Sequence, residues 1–274
     1  MKKWEGHTHS KFCQHGSGDN TALMIERAIE MGFERYSITE HAPLPDGIVK
    51  NSERREFGLL PEELNEYFSH VKRLKKEYGR KIEIRAGLEV DFFSDYVGYS
   101  KNLIETWADQ LEDIIISIHF IKGRDNYSPI DYNSDIFYKE LVGYWGSVQE
   151  VHQQYWNSVK ELVNSNISSI ETKRIGHIGL INKYKQKYPQ LLPESLNLKY
   201  ESFLQELFRS IKRAGWSLDY NISGLSKPDC REVYFTDFMF QLAQQFDIQL
   251  IYGSDAHCIE RVGRSYEEYE RRFV

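Results

Sequence analysis

Gln249-Leu250-Ile251-Tyr252-Gly253-Ser254-Asp255-Ala256-His257 joins a short β-type run to two side chains that bind metals. The run from Gln249 to Gly253 is apolar, β-branched and aromatic, and it is too short for a helix, so it reads as a buried strand. Asp255 and His257 follow at i and i+2, a spacing that puts two side chains on the same side of extended chain. Working back through the chain, the same unit recurs. Lys3 to Thr8 reads as a strand that His7 and His9 leave, and Arg35 to Thr39 as one that leads to His41. Ile82 to Val90 carries Glu89, Asp113 to Ile118 ends before His119, and Arg174 to His177 ends on His177. The run from Ser217 to Ile222 is a strand whose exit carries no ligand.

Amphipathic helical stretches separate these strands. The one near Ala22 to Met31 presents Leu23, Ile25, Ala28 and Ile29 on one face, with Asp19 or Asn20 to cap it and Gly32 to end it. The next opens at Pro61, carries Leu64, Tyr67, Phe68, Val71, Leu74 and Tyr78, and stops at Gly79. Others hold Leu103, Ile104, Trp107 and Leu111, then Phe203, Leu204, Leu207, Phe208, Ile211 and Ala214 closed by Gly215, then Phe238, Leu242 and Phe246. A long helical region from Ile136 to about Val163 is interrupted or bent at Gly143 and Gly146. Seven strand–helix alternations predict a parallel α/β fold, and the lack of a Gly/Ser- or Pro-rich linker predicts one domain over residues 1–274.

In a closed parallel barrel, strand exits gather at the C-terminal face. Seven of the nine histidines fall on that rim, His15 among them in the first strand-to-helix loop. His70 and His152 sit in helical stretches and read as ordinary packing. Imidazoles and carboxylates converging from so many strand ends predict a metal-dependent hydrolase. The ligand types suit Zn²⁺, Mn²⁺ and Fe²⁺ alike. Cys13 and Cys258 stand beside ligands; small buried fillers is the blander reading, tuning or poisoning of the centre the other.

The 41 acidic and 35 basic residues leave a net charge of −6, without the broad positive field that holds nucleic acid. Three cysteines without CxxC spacing point to a reducing compartment. No apolar run approaches the roughly 20 residues that span a bilayer, and the start of the chain has no signal-peptide pattern. These features predict a cytoplasmic protein with neither membrane nor nucleic-acid partners.

The elements His7-Thr8-His9, Glu40-His41, Gly87-Leu88-Glu89, Ser117-Ile118-His119, Gly176-His177 and Gly253-Ser254-Asp255-Ala256-His257 resemble the successive motifs of the PHP (polymerase and histidinol phosphatase) superfamily. His7-Thr8-His9-Ser10 with Cys13-Gln14-His15-Gly16, Glu89-Val90-Asp91 and Asn221-Ile222-Ser223-Gly224-Leu225 are similar to its histidinol-phosphatase branch. Gly6 before His7 and Glu40 before His41 depart from that pattern without removing a ligand.

The resemblance implies a distorted (β/α)7 TIM-like barrel with a three-ion site at the C-terminal ends of its strands. His7, His9, Glu89 and Asp255 would hold one divalent ion, Glu89, His119 and His177 a second, and His15, His41 and His257 a third. It implies hydrolysis of L-histidinol phosphate to L-histidinol and phosphate in histidine biosynthesis, by attack of a metal-bridging hydroxide. Asp255 or His257 would relay a proton to the leaving alkoxide, with Asp255 preferred. Arg174 is the candidate phosphate clamp, with Lys122, Arg231 and Arg264 as rivals. Asp91 and Asn221 are candidate polar contacts to substrate, and Phe93, Phe120 or Tyr220 a candidate apolar wall. The segments from Lys122 to Asp135 and Pro45 to Leu60 are candidate lids. Two other readings keep the same family: a phosphatase or phosphodiesterase for a nucleotide or phosphoprotein, and a non-catalytic module supporting a polymerase.

Overall fold

Apolar runs buried on both faces form seven strands of one parallel sheet, as expected where helices cover the outside. The computed structural model describes residues 2–50, 52–124, 126–188 and 197–273. In chain order the strands are β1 (Trp4–Thr8), β2 (Arg35–His41), β3 (Glu83–Asp91), β4 (Asp113–Ser117), β5 (Phe120–Lys122), β6 (Tyr127–Pro129), β7 (Lys173–Ile175), β8 (Ser217–Asn221) and β9 (Leu250–Gly253). The sheet runs β1-β2-β3-β4-β7-β8-β9, while β5 and β6 form a separate antiparallel hairpin. The expected barrel is therefore present, with the hairpin as an excursion on the rim.

Closure is confined to the end that carries the candidate ligands. Asp255 N donates to His7 O at 2.9 Å and His9 N to Ala256 O at 2.9 Å, which brings both i, i+2 pairs side by side. Deeper in the same seam, Glu5 accepts from Ser254 N and Gly263 N, each at 3.0 Å, and burial pushes its carboxyl up to about 7. The register between β1 and β2 slips between Glu5 and Thr8, a bulge that re-aims the strand just where His7 begins. Gly6 sits at that slip because a Cβ there would stand 2.5 Å from Ile251 Cγ2 and 2.9 Å from Tyr252 O.

Arg174 belongs to the barrel interior, and this corrects its assignment to phosphate. Its guanidinium is fully buried, donates to Asp113 Oδ2 at 2.9 Å and Gly6 O at 2.6 Å, and lies 5.1 Å from the Trp4 ring. Ser37 Oγ ties the cluster together, donating to Asp113 at 2.6 Å and accepting from Trp4 Nε1 at 2.9 Å. A buried charge needs such a partner.

Helix ends follow local chemistry. Asn20, rather than Asp19, caps the helix Thr21–Glu30 by accepting from Ala22 N, while Asp19 accepts from Ile259 N. In the long helical region Gly146 makes the break at φ +84°, and Ser147 caps the helix Val148–Asn164 that follows. Gly143 keeps helical angles and interrupts nothing; the irregularity is instead a π-helical stretch at Phe137–Val142. Among the described residues no helix is long and apolar enough to cross a membrane.

Candidate metal centre

Most of the rim histidines are oriented by an acceptor behind them. His7 Nδ1 donates to Asp219 Oδ2 at 2.8 Å, His9 Nδ1 to Glu40 Oε1 at 3.3 Å and His119 Nδ1 to Asp91 Oδ1 at 2.8 Å. His15 Nδ1 donates to Glu56 O and His257 Nδ1 to Asp255 O, both at 3.0 Å. Each ring thereby turns Nε2 inward, the arrangement by which proteins orient and strengthen imidazole ligands.

The inward atoms meet around Glu89, which is almost fully buried. Its Oε2 lies 3.2 Å from His7 Nε2, 3.5 Å from His9 Nε2 and 3.2 Å from His41 Nδ1. Its Oε1 lies 3.0 Å from His177 Nε2 and 3.6 Å from His119 Nε2, and takes a hydrogen bond from Ser117 Oγ at 2.5 Å. Asp255 Oδ1 completes the first group at 3.4 Å from His9 Nε2 and 3.9 Å from His7 Nε2. Asp255 adopts φ +54°, a left-handed conformation that a non-glycine residue holds only when its surroundings impose it.

Two pairs of imidazole nitrogens face each other directly. His119 Nε2 and His177 Nε2 are 3.1 Å apart, as are His15 Nε2 and His41 Nε2. Two nitrogens each about 2.0–2.1 Å from one ion lie roughly 2.9–3.4 Å apart at bond angles of about 90–110°. His9 Nε2, His41 Nδ1 and His257 Nε2 are buried without a hydrogen-bond partner, a costly state unless another group occupies the centre. Divalent cations fit this donor set.

Burial lowers an imidazole, but the neighbouring carboxylates outweigh it and raise His7 well above its ordinary value, His9 to about 9 and His119 to about 10, so a bound cation would take the place of protons on these rings. Burial alone would raise the Glu89 carboxyl, but His7, His119 and His41 hold it well below the usual carboxylate range. Burial and the neighbouring His9 keep His41 and His257 well below the usual imidazole range, so their lone pairs are free.

A cavity of about 600 Å³ opens over these donors. The two expected lid segments contribute to its wall through Glu56 and Phe57 on one side and Pro129, Asp131 and Tyr132 on the other. Phe57 packs on Phe120 with ring centroids 5.3 Å apart, and on Tyr132 at 5.9 Å. Of the candidate wall residues, Phe120 lines the cavity; Phe93 lies behind it, and Tyr220 packs elsewhere against Phe235 and Tyr269.

Several candidate substrate residues have other duties. Asn221 is fully buried, donating from Nδ2 to Asp219 at 3.1 Å and accepting from Ser223 N at 3.0 Å. Asp91 borders the cavity, yet its Oδ1 is engaged by both the backbone N and Nδ1 of His119. Lys122 pairs with Asp95, and Arg231 Nε donates to Pro228 O. Arg264 donates to Ser254 O at 2.8 and 2.6 Å, bracing the turn that carries Asp255.

The cations that do face the cavity, Lys183 and Lys227, escaped sequence reading, as did Tyr234 and Asp219. Lys183 Nζ donates to Asp131 Oδ2 at 3.1 Å. Burial lowers the Lys227 ammonium from its ordinary value, with Asp255 opposing the effect.

Comparison with known proteins agrees with this geometry. The PHP domain family model matches residues 5–223. The chain is 35% identical over 272 residues to the histidinol-phosphatase of Bacillus subtilis (strain 168), covering 99% of this chain and 100% of that one. A crystal structure described as that of a candidate histidinol phosphatase from Listeria monocytogenes is 29% identical and superimposes with a TM-score of 0.91, covering 97% of this chain and 100% of the other. The Lactococcus lactis histidinol phosphate phosphatase, crystallised with zinc, L-histidinol and phosphate, shares the fold at a TM-score of 0.67 and 19% identity, with 99% and 94% of the chains covered.

Proposed function

This chain belongs to the PHP domain family, and on that premise we propose that it hydrolyses L-histidinol phosphate to L-histidinol and inorganic phosphate at its barrel mouth. The observation that carries this reading is the convergence of Glu89, Asp255 and seven imidazoles beneath a cavity large enough for a small phosphate ester. We assign the donors to three divalent ions: His7, His9, Glu89 and Asp255 to one, Glu89, His119 and His177 to a second, and His15, His41 and His257 to a third. Glu89 would serve the first two, since its Oε2 faces His7 and His9 while its Oε1 faces His119 and His177. Bound there, divalent ions would draw charge from the phosphoryl oxygens and lower the pKa of water enough to give a nucleophile near neutral pH.

The remaining work falls to the chain's own residues. Lys183 and Lys227 meet the phosphate dianion at the cavity wall. Asp255 is the proton relay. Burial would raise its carboxyl, but His7, His9 and His257 hold it well below the usual range, so it begins as a base. Ser223 Oγ donates to its Oδ2 at 3.2 Å and fixes its orientation. Asp255 thus takes the proton released by the attacking water and returns it to the histidinol alkoxide; His257 beside it, with Nδ1 committed to Asp255 O and Nε2 to the centre, is left out of the transfer. Phe57, Phe120 and Tyr132 provide a flat wall for the imidazole of histidinol, and Asp131 and Glu56 offer acceptors for its ammonium.

One sheet running through all seven parallel strands supports a single domain, and the free cysteines and net negative charge support a cytoplasmic enzyme whose partner is a small molecule rather than nucleic acid. The test is phosphate release from L-histidinol phosphate by protein reconstituted with Mn²⁺, Zn²⁺ or Fe²⁺, beside p-nitrophenyl phosphate and AMP. A kcat/KM of about 10⁴ M⁻¹s⁻¹ or above for histidinol phosphate, with far weaker controls, is expected. A flat preference across the three esters would discard this substrate and leave the metal centre standing.

A further inference from the structure

The metal-ligand assignment above leaves one donor unused. Cys13 lies between His9 and His15, in a turn made by Cys13 N donating to Ser10 O at 3.0 Å and Gly16 N donating to Cys13 O at 3.3 Å. Glu40 fixes the start of this turn, accepting from Ser10 N at 2.9 Å and Ser10 Oγ at 2.6 Å while also receiving His9 Nδ1. The far side is pressed onto the turn that bears His257: Ser17 N donates to His257 O at 3.0 Å, and a Cβ at Gly16 would meet that same oxygen at 3.1 Å. The turn is therefore held from both ends, and the thiol is carried inward to a buried position.

Donor atoms of His9, Cys13, His41 and His257 all lie within 4.8 Å of one another. His15 meets this group through His41, Nε2 to Nε2 at 3.1 Å. Two imidazole nitrogens in the group, His9 Nε2 and His257 Nε2, are buried without a hydrogen-bond partner, so the space they face calls for a positively charged occupant. A sulfur among such nitrogens has the composition of a zinc-type site rather than of an all-oxygen site for a hard cation.

We propose that Cys13 Sγ is a direct ligand of the ion held by His41 and His257, making that position a mixed sulfur and imidazole site that favours soft divalent ions such as Zn²⁺ and Co²⁺ over Mn²⁺. On binding, the thiol proton leaves to solvent and the sulfur lone pair goes to the metal; nothing is oxidised. The proposal rests on the metal reading of the rim but adds a ligand that the reading does not require.

The test is optical and uses the full chain loaded with Co²⁺ after chelator treatment, with bound cobalt counted by elemental analysis. A sulfur-to-cobalt charge-transfer band is expected in the wild type and should survive Cys258→Ser and Cys230→Ser. Cys13→Ser and Cys13→Ala should abolish it and weaken one equivalent of metal by at least about tenfold. Cobalt bound without the band in the wild type would overturn the sulfur ligand and spare the metal centre. A band lost only with Cys258→Ser would likewise assign the sulfur elsewhere. Failure to bind cobalt at all would overturn both. Since the wild-type spectrum decides the first question, a poorly folding variant does not protect the proposal.

Discussion

Replacing Asp219 by Asn tests the logic by which the fold orients its metal donors. Asp219 Oδ2 receives His7 Nδ1 at 2.8 Å, His177 N at 3.2 Å and Asn221 Nδ2 at 3.1 Å. Its other oxygen is buried without a partner and sits so close to Gly253 that a Cβ there would approach it to 2.1 Å. An asparagine that keeps its oxygen toward His7 must place its NH₂ in that tight pocket, leaving a buried donor unsatisfied at a cost of about 1–3 kcal/mol. It also exchanges a charge-assisted hydrogen bond to His7 for a neutral one, about half as strong. Loss of such a backing partner weakens metal affinity or activity by about 10–100-fold, roughly 1.4–2.8 kcal/mol. Competition with a chromophoric chelator should show one metal equivalent weakened within that range, and kcat/KM should fall in parallel at limiting metal. Unchanged affinity for every equivalent, in a variant that melts like the wild type, would refute the argument that Asp219 sets the His7 donor.

Other perturbations separate structural from chemical roles. Glu89→Gln removes the carboxylate shared by two donor groups and should lower activity by more than the roughly hundredfold ceiling for backing partners, with metal stoichiometry reduced by elemental analysis. Arg174→Met leaves Asp113 buried and unpaired; a destabilisation of about 3–5 kcal/mol, or roughly 6–10 °C in Tm, is expected with KM for the ester unchanged. A raised KM with an unchanged melting curve would restore Arg174 as a phosphate ligand. Lys227→Met should raise KM about tenfold, the low end for a hydrogen bond to a charged group, and an unaltered KM would remove Lys227 from the phosphate site. His70 is lowered to about 4, chiefly by burial. With the folded value below the unfolded 6.5, its contribution to stability is complete above pH 6.5 and is lost as pH falls toward 4. His70→Gln should therefore flatten the decline of the denaturation midpoint between pH 7 and pH 4.5, and parallel declines for variant and wild type would contradict this.

The candidate ligands His7 and His9 were legible because extended chain enforces a two-residue period; Asp255 and His257 lie beyond β9, with Asp255 at φ +54°, so their convergence comes from the turn and not from that period. Asp219 follows the same rule, two residues before Asn221 on β8 and facing the same interior. It was passed over because attention to strand exits ignores residues inside a strand, where a backing carboxylate must sit. Arg174 was misplaced for the converse reason: on a strand as short as β7 the exit lies close to the interior, and only packing reveals that Asp113 and Gly6 O claim the guanidinium. Lys183 and Lys227 lie in or just beyond 3₁₀ turns after β7 and β8, where no periodicity reports direction. The π-helical stretch at Phe137–Val142 was likewise invisible, since its residues favour ordinary helix equally well.

The central claim is that the rim donors hold ions on which hydrolysis depends. It is tested most directly by following phosphate release from L-histidinol phosphate while chelator-stripped protein is titrated with Zn²⁺ or Mn²⁺. The account predicts negligible turnover without metal and recovery that saturates after a small whole number of equivalents per chain. Full turnover by protein shown to be free of metal would contradict it.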